Sequence, residues 1–211
     1  MKTLFCILMA IVMVNSFSPS RAQKVDTTEY SPWNHSLDAC FYFFEDDFFI
    51  LPIYKVDHNW LHLEARYNYE DMNTFSAWIG YNLSGGNKFE YTITPMIGGI
   101  VGNTDGFSPG LELTFGFYGF ELYSESQYVI DFHSVESNYF YMWTDFTYAP
   151  LDWLWFGISG QRTKVYLTEF EVQRGFLVGG GYRWFGLTGY LFNWGFGDPF
   201  GVITLSISLP E

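Results

Sequence analysis

From Asn59 to Tyr69 the chain alternates between two chemistries almost without fault. In an extended backbone Leu61, Leu63, Ala65 and Tyr67 share one face, and His62, Glu64, Arg66 and Asn68 share the other. Successive side chains of a strand project to opposite sides, so this stretch predicts a strand with one apolar and one polar face. The pattern does not by itself assign those faces. A soluble sandwich turns its apolar side inward, whereas a membrane barrel turns it outward.

The same rule recurs along the chain. Phe75, Ala77, Ile79, Tyr81 and Leu83 alternate with Thr74, Ser76, Trp78, Gly80 and Asn82, and Phe89, Tyr91 and Ile93 alternate with Lys88, Glu90, Thr92 and Thr94. Leu111, Leu113, Phe115 and Phe117 oppose Glu112, Thr114 and Gly116. Phe140, Met142 and Phe146 oppose Tyr141, Trp143 and Asp145; Leu154, Phe156 and Ile158 oppose Trp155, Gly157 and Ser159. Near the end, Ile203, Leu205, Ile207 and Leu209 oppose Thr204, Ser206 and Ser208. Turn chemistry separates these segments, as at Asp57-His58-Asn59, Ser84-Gly85-Gly86-Asn87, Asn103-Thr104-Asp105-Gly106 and Ala149-Pro150-Leu151-Asp152. After residue 22 no stretch sustains the spacing of three and four that a helix requires.

What the second face carries decides between architectures. A water-facing strand surface is dense in Lys, Glu and Thr. This face is poor in lysine and mixes Gly, Thr, Ser, Tyr and Trp with isolated charges, which suits a barrel lumen filled by its own side chains. Only 16% of the residues are charged and 22% are aromatic, against about 25% charged in an ordinary soluble domain. Segments of roughly 9–11 residues are also what a tilted strand needs to cross hydrocarbon. Trp60, Tyr69, Tyr139, Tyr148, Trp153, Trp184 and Trp194 fall near segment ends, where interfacial aromatic girdles are expected.

Residues 1–22 read as a cleaved secretory signal: Lys2 at the start, an apolar core from Leu4 to Val14, and Ser20-Arg21-Ala22 as a small-x-small site before Gln23. The apolar core is too short for a spanning helix, which needs roughly 20 residues. Removing it takes Cys6, Lys2 and Arg21, and leaves Cys40 alone, so the mature fold holds no internal disulfide. The remaining 8 basic and 23 acidic residues give a net charge near −15, which excludes nucleic acid as a partner. Residues 23–47, acidic and aromatic, read as a lead-in or first strand, and residues 48–211 as the barrel domain.

Through its signal, its alternating segments and its final Thr204 to Leu209 strand, the chain resembles the outer-membrane β-barrel proteins of Gram-negative bacteria as a class. The resemblance covers about residues 48 to 209 and rests on pattern alone. It implies an all-β, closed antiparallel transmembrane barrel of 10–12 strands in the cell outer membrane, with outer-membrane lipid and the barrel-assembly machinery as partners and a small polar solute as possible cargo. Barrels of this class commonly end on an aromatic residue, whereas this sequence ends Leu209-Pro210-Glu211.

The charges expected in the lumen are Glu64, Arg66, Lys88, Glu90, Glu112, Glu121, Glu125, Asp145 and Arg183. Buried singly, each would cost several kcal/mol, so they are expected to be paired or wet. Paired, they make a packed polar core; wet, a narrow, porin-like, cation-preferring path. Gly175, Gly179 and Gly181 share a face with Gln173 and Arg183 and leave room for a guanidinium or mark a bend. An enzymatic alternative, a barrel-embedded lipid hydrolase or acyltransferase, would use His133, Ser134 and Glu136, although adjacent strand residues point apart. A third alternative is a secreted β-sandwich that binds ligands through its aromatics. His58 and His62, roughly 13 Å apart on one extended strand, do not make a metal site. Val178-Gly179-Gly180-Gly181 precedes no helix, so no phosphate loop or other cofactor site is expected.

Overall fold

A computed structural model describes residues 33–165, 171–195 and 197–209. The expected signal peptide and the start of the acidic lead-in lie outside the described residues, as do Pro210 and Glu211. One antiparallel sheet accounts for almost everything described: β1 (Asn34–Phe43), β2 (Phe48–His58), β3 (Leu61–Tyr67), β4 (Phe75–Tyr81), β5 (Leu83–Gly86), β6 (Phe89–Val101), β7 (Gly106–Phe117), β8 (Phe120–Asp131), β9 (Tyr139–Leu151), β10 (Leu154–Val165), β11 (Glu171–Tyr182), β12 (Phe185–Phe192) and β13 (Phe200–Leu209). β4 and β5 pair with β6 in a single continuous register, Phe75 opposite Val101 and Gly86 opposite Glu90. They form one stave interrupted at Asn82. The barrel therefore has twelve staves, each hydrogen-bonded to its sequence neighbours and closed by β1 on β13, from His35 opposite Leu209 to Phe43 opposite Gly201. Closure removes the unpaired sheet edges that hydrocarbon could not solvate. β1, within the segment read as a lead-in or first strand, supplies the closing seam.

The two ends differ. Two-residue turns join β2 to β3, β5 to β6, β7 to β8, β9 to β10 and β11 to β12, while the opposite end carries longer connections such as 68–74, 132–138 and 193–199. Asn59, Tyr118 and Arg183 take positive φ in the tight turns, 53°, 47° and 56°; Tyr118 is followed by Gly119 at 84°, the left-handed pair that a two-residue hairpin matching strand twist demands.

Apolar side chains cover the outward face of the staves, and β2 is apolar inside as well. Ile79, Ile97, Phe156, Ile158, Val178 and Leu187 are all more than 45% exposed, and together they would make an untenable patch in water. In a bilayer they form the lipid-facing belt. Trp60, Trp153 and Trp184 ring the short-turn end, and Trp194 stands exposed at the other. Tyr69 and Tyr139, expected in that girdle, instead turn inward: Tyr69 packs on Tyr141, and the Tyr139 hydroxyl donates to the Glu70 carbonyl at 2.5 Å. The closed sheet overturns the sandwich alternative, since its apolar faces look at lipid and not at one another.

Candidate functional site

The polar face of the Asn59–Tyr69 strand builds the centre of the lumen. Arg66 is 1% exposed. Its Nη1 lies 2.5 Å from Glu125 Oε1 across the barrel, and its guanidinium also grips Glu64 beside it on β3. Trp78 and Tyr69 flank the guanidinium at 4.6 and 4.5 Å from their ring centroids, where ring quadrupoles favour a cation. A second chord comes from β2: Lys55 Nζ sits 2.5 Å from Glu112 Oε1 and 3.0 Å from Glu64 Oε1. His62 bonds Asp57 and Glu64, each at 2.8 Å, and the Tyr123 hydroxyl donates to Glu112 and Glu125 at 2.9 and 3.1 Å. Four carboxylates, two cations and a histidine thus form one connected network, which is how buried charge is made tolerable.

His62, Glu64 and Glu112 can each offer a metal one ligand atom, all lying within 4.8 Å of one another. The Lys55 ammonium, in contact with both carboxylates, already supplies a positive charge at that point.

Above this layer the 68–74 connection folds into the mouth. Thr74 and the Glu70 side chain are buried, and no well-aligned hydrogen bond reaches either Glu70 carboxylate oxygen. Burial pushes the Glu70 carboxyl above the usual range, offset in part by the Arg66 charge and the Ser76 hydroxyl. The rest of the mouth is filled by rings. Phe44 stacks on Phe200 at 4.8 Å, Phe200 on Phe192 at 4.9 Å, and Trp143 meets Phe192 edge-on at 5.3 Å. Tyr42 and Phe49 join the same cluster at 4.7 Å. Deeper toward the short turns, Asp145 accepts from Ser159 at 2.5 Å and Tyr190 at 3.1 Å, and lumen-facing side chains such as Glu121 and Thr147 become half-exposed.

Among the sequence candidates, Glu64, Arg66, Glu112 and Glu125 meet in one network, with Asp145 on the facing wall. Lys88 and Arg183 do not enter the lumen. Both lie exposed in two-residue turns, because strand alternation ends where the chain reverses, and the Arg183 guanidinium lies 5.4 Å from the Tyr182 ring. Nor do the β11 glycines make room for Arg183. A Cβ on Gly179 would stand 2.2 Å from Trp155 Nε1 and one on Gly175 2.8 Å from Phe192, so these glycines receive aromatic rings from inside the barrel. Gly98 does the same for Trp78.

Outside the barrel mouth, Ser134 Oγ accepts from the Glu136 amide at 3.2 Å, capping a short turn, and the exposed His133 ring lies nearest Asp131 and Asp105, 3.9 and 4.0 Å away. His58 stacks on Trp33 at 4.4 Å and lies across a turn from His62. Lys55, Tyr69, Glu70, Tyr123 and Gln127 were not marked as site residues by the sequence reading. Lys55 was hidden because β2 is apolar on both faces, with Phe49, Leu51 and Ile53 inside. Its parity with Asp57 was the available signal.

Twelve antiparallel staves, short turns at one end, long loops at the other and an interior bridged by charged side chains define the architecture. The described barrel shares its overall fold with solved porins. Of solved structures, a KdgM porin superposes with a TM-score of 0.59 at 10% identity, covering 83% of this chain and 99% of the porin. The KdgM porin in complex with disordered oligogalacturonate gives 0.59 at 11% identity, with the same coverage. Pseudomonas aeruginosa OccK5 (OpdH) aligns at 13% identity and a TM-score of 0.47 over 82% of this chain and 63% of its own. No protein-family model matches this sequence, and no curated protein matches it.

Proposed function

We propose that this porin-fold barrel resides in the outer membrane and passes small cations or neutral polar solutes through a narrow lumen that the Arg66 layer closes in the conformation described. The observation that carries the reading is the balance of lumenal charge: Glu64, Glu112, Glu121, Glu125 and Asp145 project inward against Lys55 and Arg66. A lumen weighted toward carboxyl groups favours cations and disfavours anions. The KdgM porin is recorded with oligogalacturonate, a chain of carboxylates; the charge balance here argues against a cargo of that sign.

A second reading, a sealed barrel with a structural role, is favoured by the near-complete burial of Arg66, Glu64 and Glu125. Planar-bilayer recording separates the two. Expected for a channel is a small conductance whose reversal potential in a KCl gradient lies on the cation side, and which rises when Arg66→Ala removes the bridging group. Silence in both the natural chain and Arg66→Ala would establish the sealed barrel and end the channel reading.

A further inference from the structure

The connection between β3 and β4 spans the long-loop mouth from one wall toward the other. Its base is tied: the Asn68 amide donates to the Thr74 carbonyl at 2.9 Å, and the Asn73 amide to the Asn68 side-chain oxygen at 2.8 Å. Asn68 and Asn73 both take left-handed backbone, φ 58° and 54°, a conformation that asparagine tolerates and that turns a chain sharply. Between these two bends the segment is held from across the lumen. The Tyr139 hydroxyl on β9 donates to the Glu70 carbonyl at 2.5 Å, and the Tyr69 ring meets Tyr141, also on β9, edge-on at 5.6 Å. With β4 and β5 taken as one stave, β9 stands five staves from β3 in a barrel of twelve, nearly opposite. A further hold comes from the neighbouring connection, where the Thr104 hydroxyl donates to Asp71 at 3.1 Å.

Glu70 pulls the other way. It carries a carboxyl into the lumen, and that side chain is wholly withdrawn from water. No well-aligned hydrogen bond reaches either oxygen, and the nearby Arg66 Nη1, 4.0 Å away, is already engaged by Glu125. The Gln127 amide nitrogen, on the same side of Arg66, is likewise unmet. A carboxylate buried without aligned donors costs free energy that contact with water would recover. Closure is therefore maintained by Tyr139, Tyr69 and Thr104 and opposed by Glu70. Opposed holds on a short segment between two bends are what a hinged, two-position element requires. Tyr69 also braces the Arg66 guanidinium, 4.5 Å from its ring centroid, so outward movement of the segment loosens the charged network beneath it.

We propose that the 68–74 connection is a strap that swings outward to open the long-loop mouth, that the Tyr139 hydroxyl is the latch holding it shut, and that buried Glu70 biases it toward opening. Released from β9, the strap uncovers Ser76 and Gln127, 0% and 2% exposed in the closed form, to solutes arriving from the long-loop side. As a gate for solutes the strap rests on the channel reading above; its movement does not.

The test uses the full mature chain refolded in detergent, with Cys40→Ser removing the native thiol and Ser76→Cys as a reporter beside Glu70. Its rate of reaction with a charged methanethiosulfonate at pH 8 measures access through the mouth. Tyr139→Phe should raise that rate at least tenfold, and Glu70→Gln, which lightens the burial cost, should lower it at least threefold. Tyr128→Phe, which alters a tyrosine exposed on the outer wall, should leave it unchanged. A second reporter, Thr147→Cys on the half-exposed short-turn side of the lumen, should react equally with and without Tyr139→Phe; acceleration there as well would mean general loosening and would overturn the latch. Retained β circular dichroism confirms folding. Bilayer conductance of the same variants without reporters should rise with Tyr139→Phe and fall with Glu70→Gln. Shifted labelling with silent bilayers throughout would uphold the strap and end the channel reading. A conducting barrel whose Ser76→Cys labelling ignores Tyr139→Phe would overturn the strap and leave the channel reading standing.

Discussion

Arg66 Nη1 and Glu125 Oε1 meet at 2.5 Å although 59 residues separate them, one on β3 and the other on β8, four staves around the wall. The contact is a chord across the lumen, and both side chains are withdrawn from water. Removing one partner from such a pair strands the other. Arg66→Met leaves Glu125 without its cation and Glu64 with Lys55 alone, and we expect a loss of about 3–5 kcal/mol in urea unfolding in detergent. Adding Glu125→Gln to Arg66→Met should return part of that loss. A double variant as unstable as the sum of its single changes would show that the two groups are not coupled.

Lys55 and Glu112 provide the second chord, and the proposed selectivity depends on them in opposite senses. Lys55→Met removes a cation from a lumen already weighted toward carboxyl groups, so the cation-to-anion permeability ratio should rise. Glu112→Gln should lower it. Reversal potentials in asymmetric KCl measure both. Unchanged ratios in both variants, with conductance intact, would place the permeating path elsewhere.

Glu70 lies in the 68–74 connection, above the membrane-spanning strands, and its carboxyl is held above the ordinary range mainly by burial. The folded state thus binds a proton more tightly than the unfolded chain. The stabilisation this gives is fully present below the ordinary carboxyl range, near pH 4.3, and is lost as pH rises through the higher folded value. Glu70→Gln should flatten that part of the stability profile and stabilise the protein at pH 8 by about 1–2 kcal/mol, the order of an unmet buried polar group. Denaturant midpoints at pH 4 and pH 8 for both chains test this, and an unaltered pH dependence in Glu70→Gln would refute it.

The strands were legible because lipid on one side and a packed lumen on the other impose opposite demands on alternate residues, as Leu61 to Tyr67 show. That logic failed in three informative places. β2 carries Phe49, Leu51 and Ile53 inside and Ile50 and Pro52 outside, so no contrast marked Lys55 as lumenal. Alternation says nothing beyond the strand end, which is why Lys88, Arg183 and Tyr69 were assigned to the wrong surroundings. Cross-lumen partners could not be paired at all. Glu112 and Lys55 are 57 residues apart, and only closure of β1 on β13 fixes which staves face each other.

The glycines of the lumen face test the packing side of the same fold. A Cβ on Gly98 would lie 2.4 Å from the Trp78 ring, and one on Gly179 would lie 2.2 Å from Trp155 Nε1. Neither ring can retreat freely. Trp78 is held by Arg66 over its face and by its Nε1–H donating to Ser76 at 3.0 Å, while Trp155 Nε1–H donates to Thr188 at 3.3 Å. Overpacking a fixed ring costs about 1–3 kcal/mol, so Gly98→Ala and Gly179→Ala should each lower the unfolding midpoint. Gly99→Ala is the matched control: it sits on the same strand as Gly98 but faces lipid, with nothing within 4 Å of a new Cβ, and should leave stability within about 0.5 kcal/mol. Gly98→Ala should also disturb the indole that braces Arg66, raising the bilayer conductance of a channel while Gly99→Ala does not. If Gly98→Ala and Gly99→Ala proved equally stable, Trp78 would not be seated against Gly98, and the inward orientation of that face would be wrong.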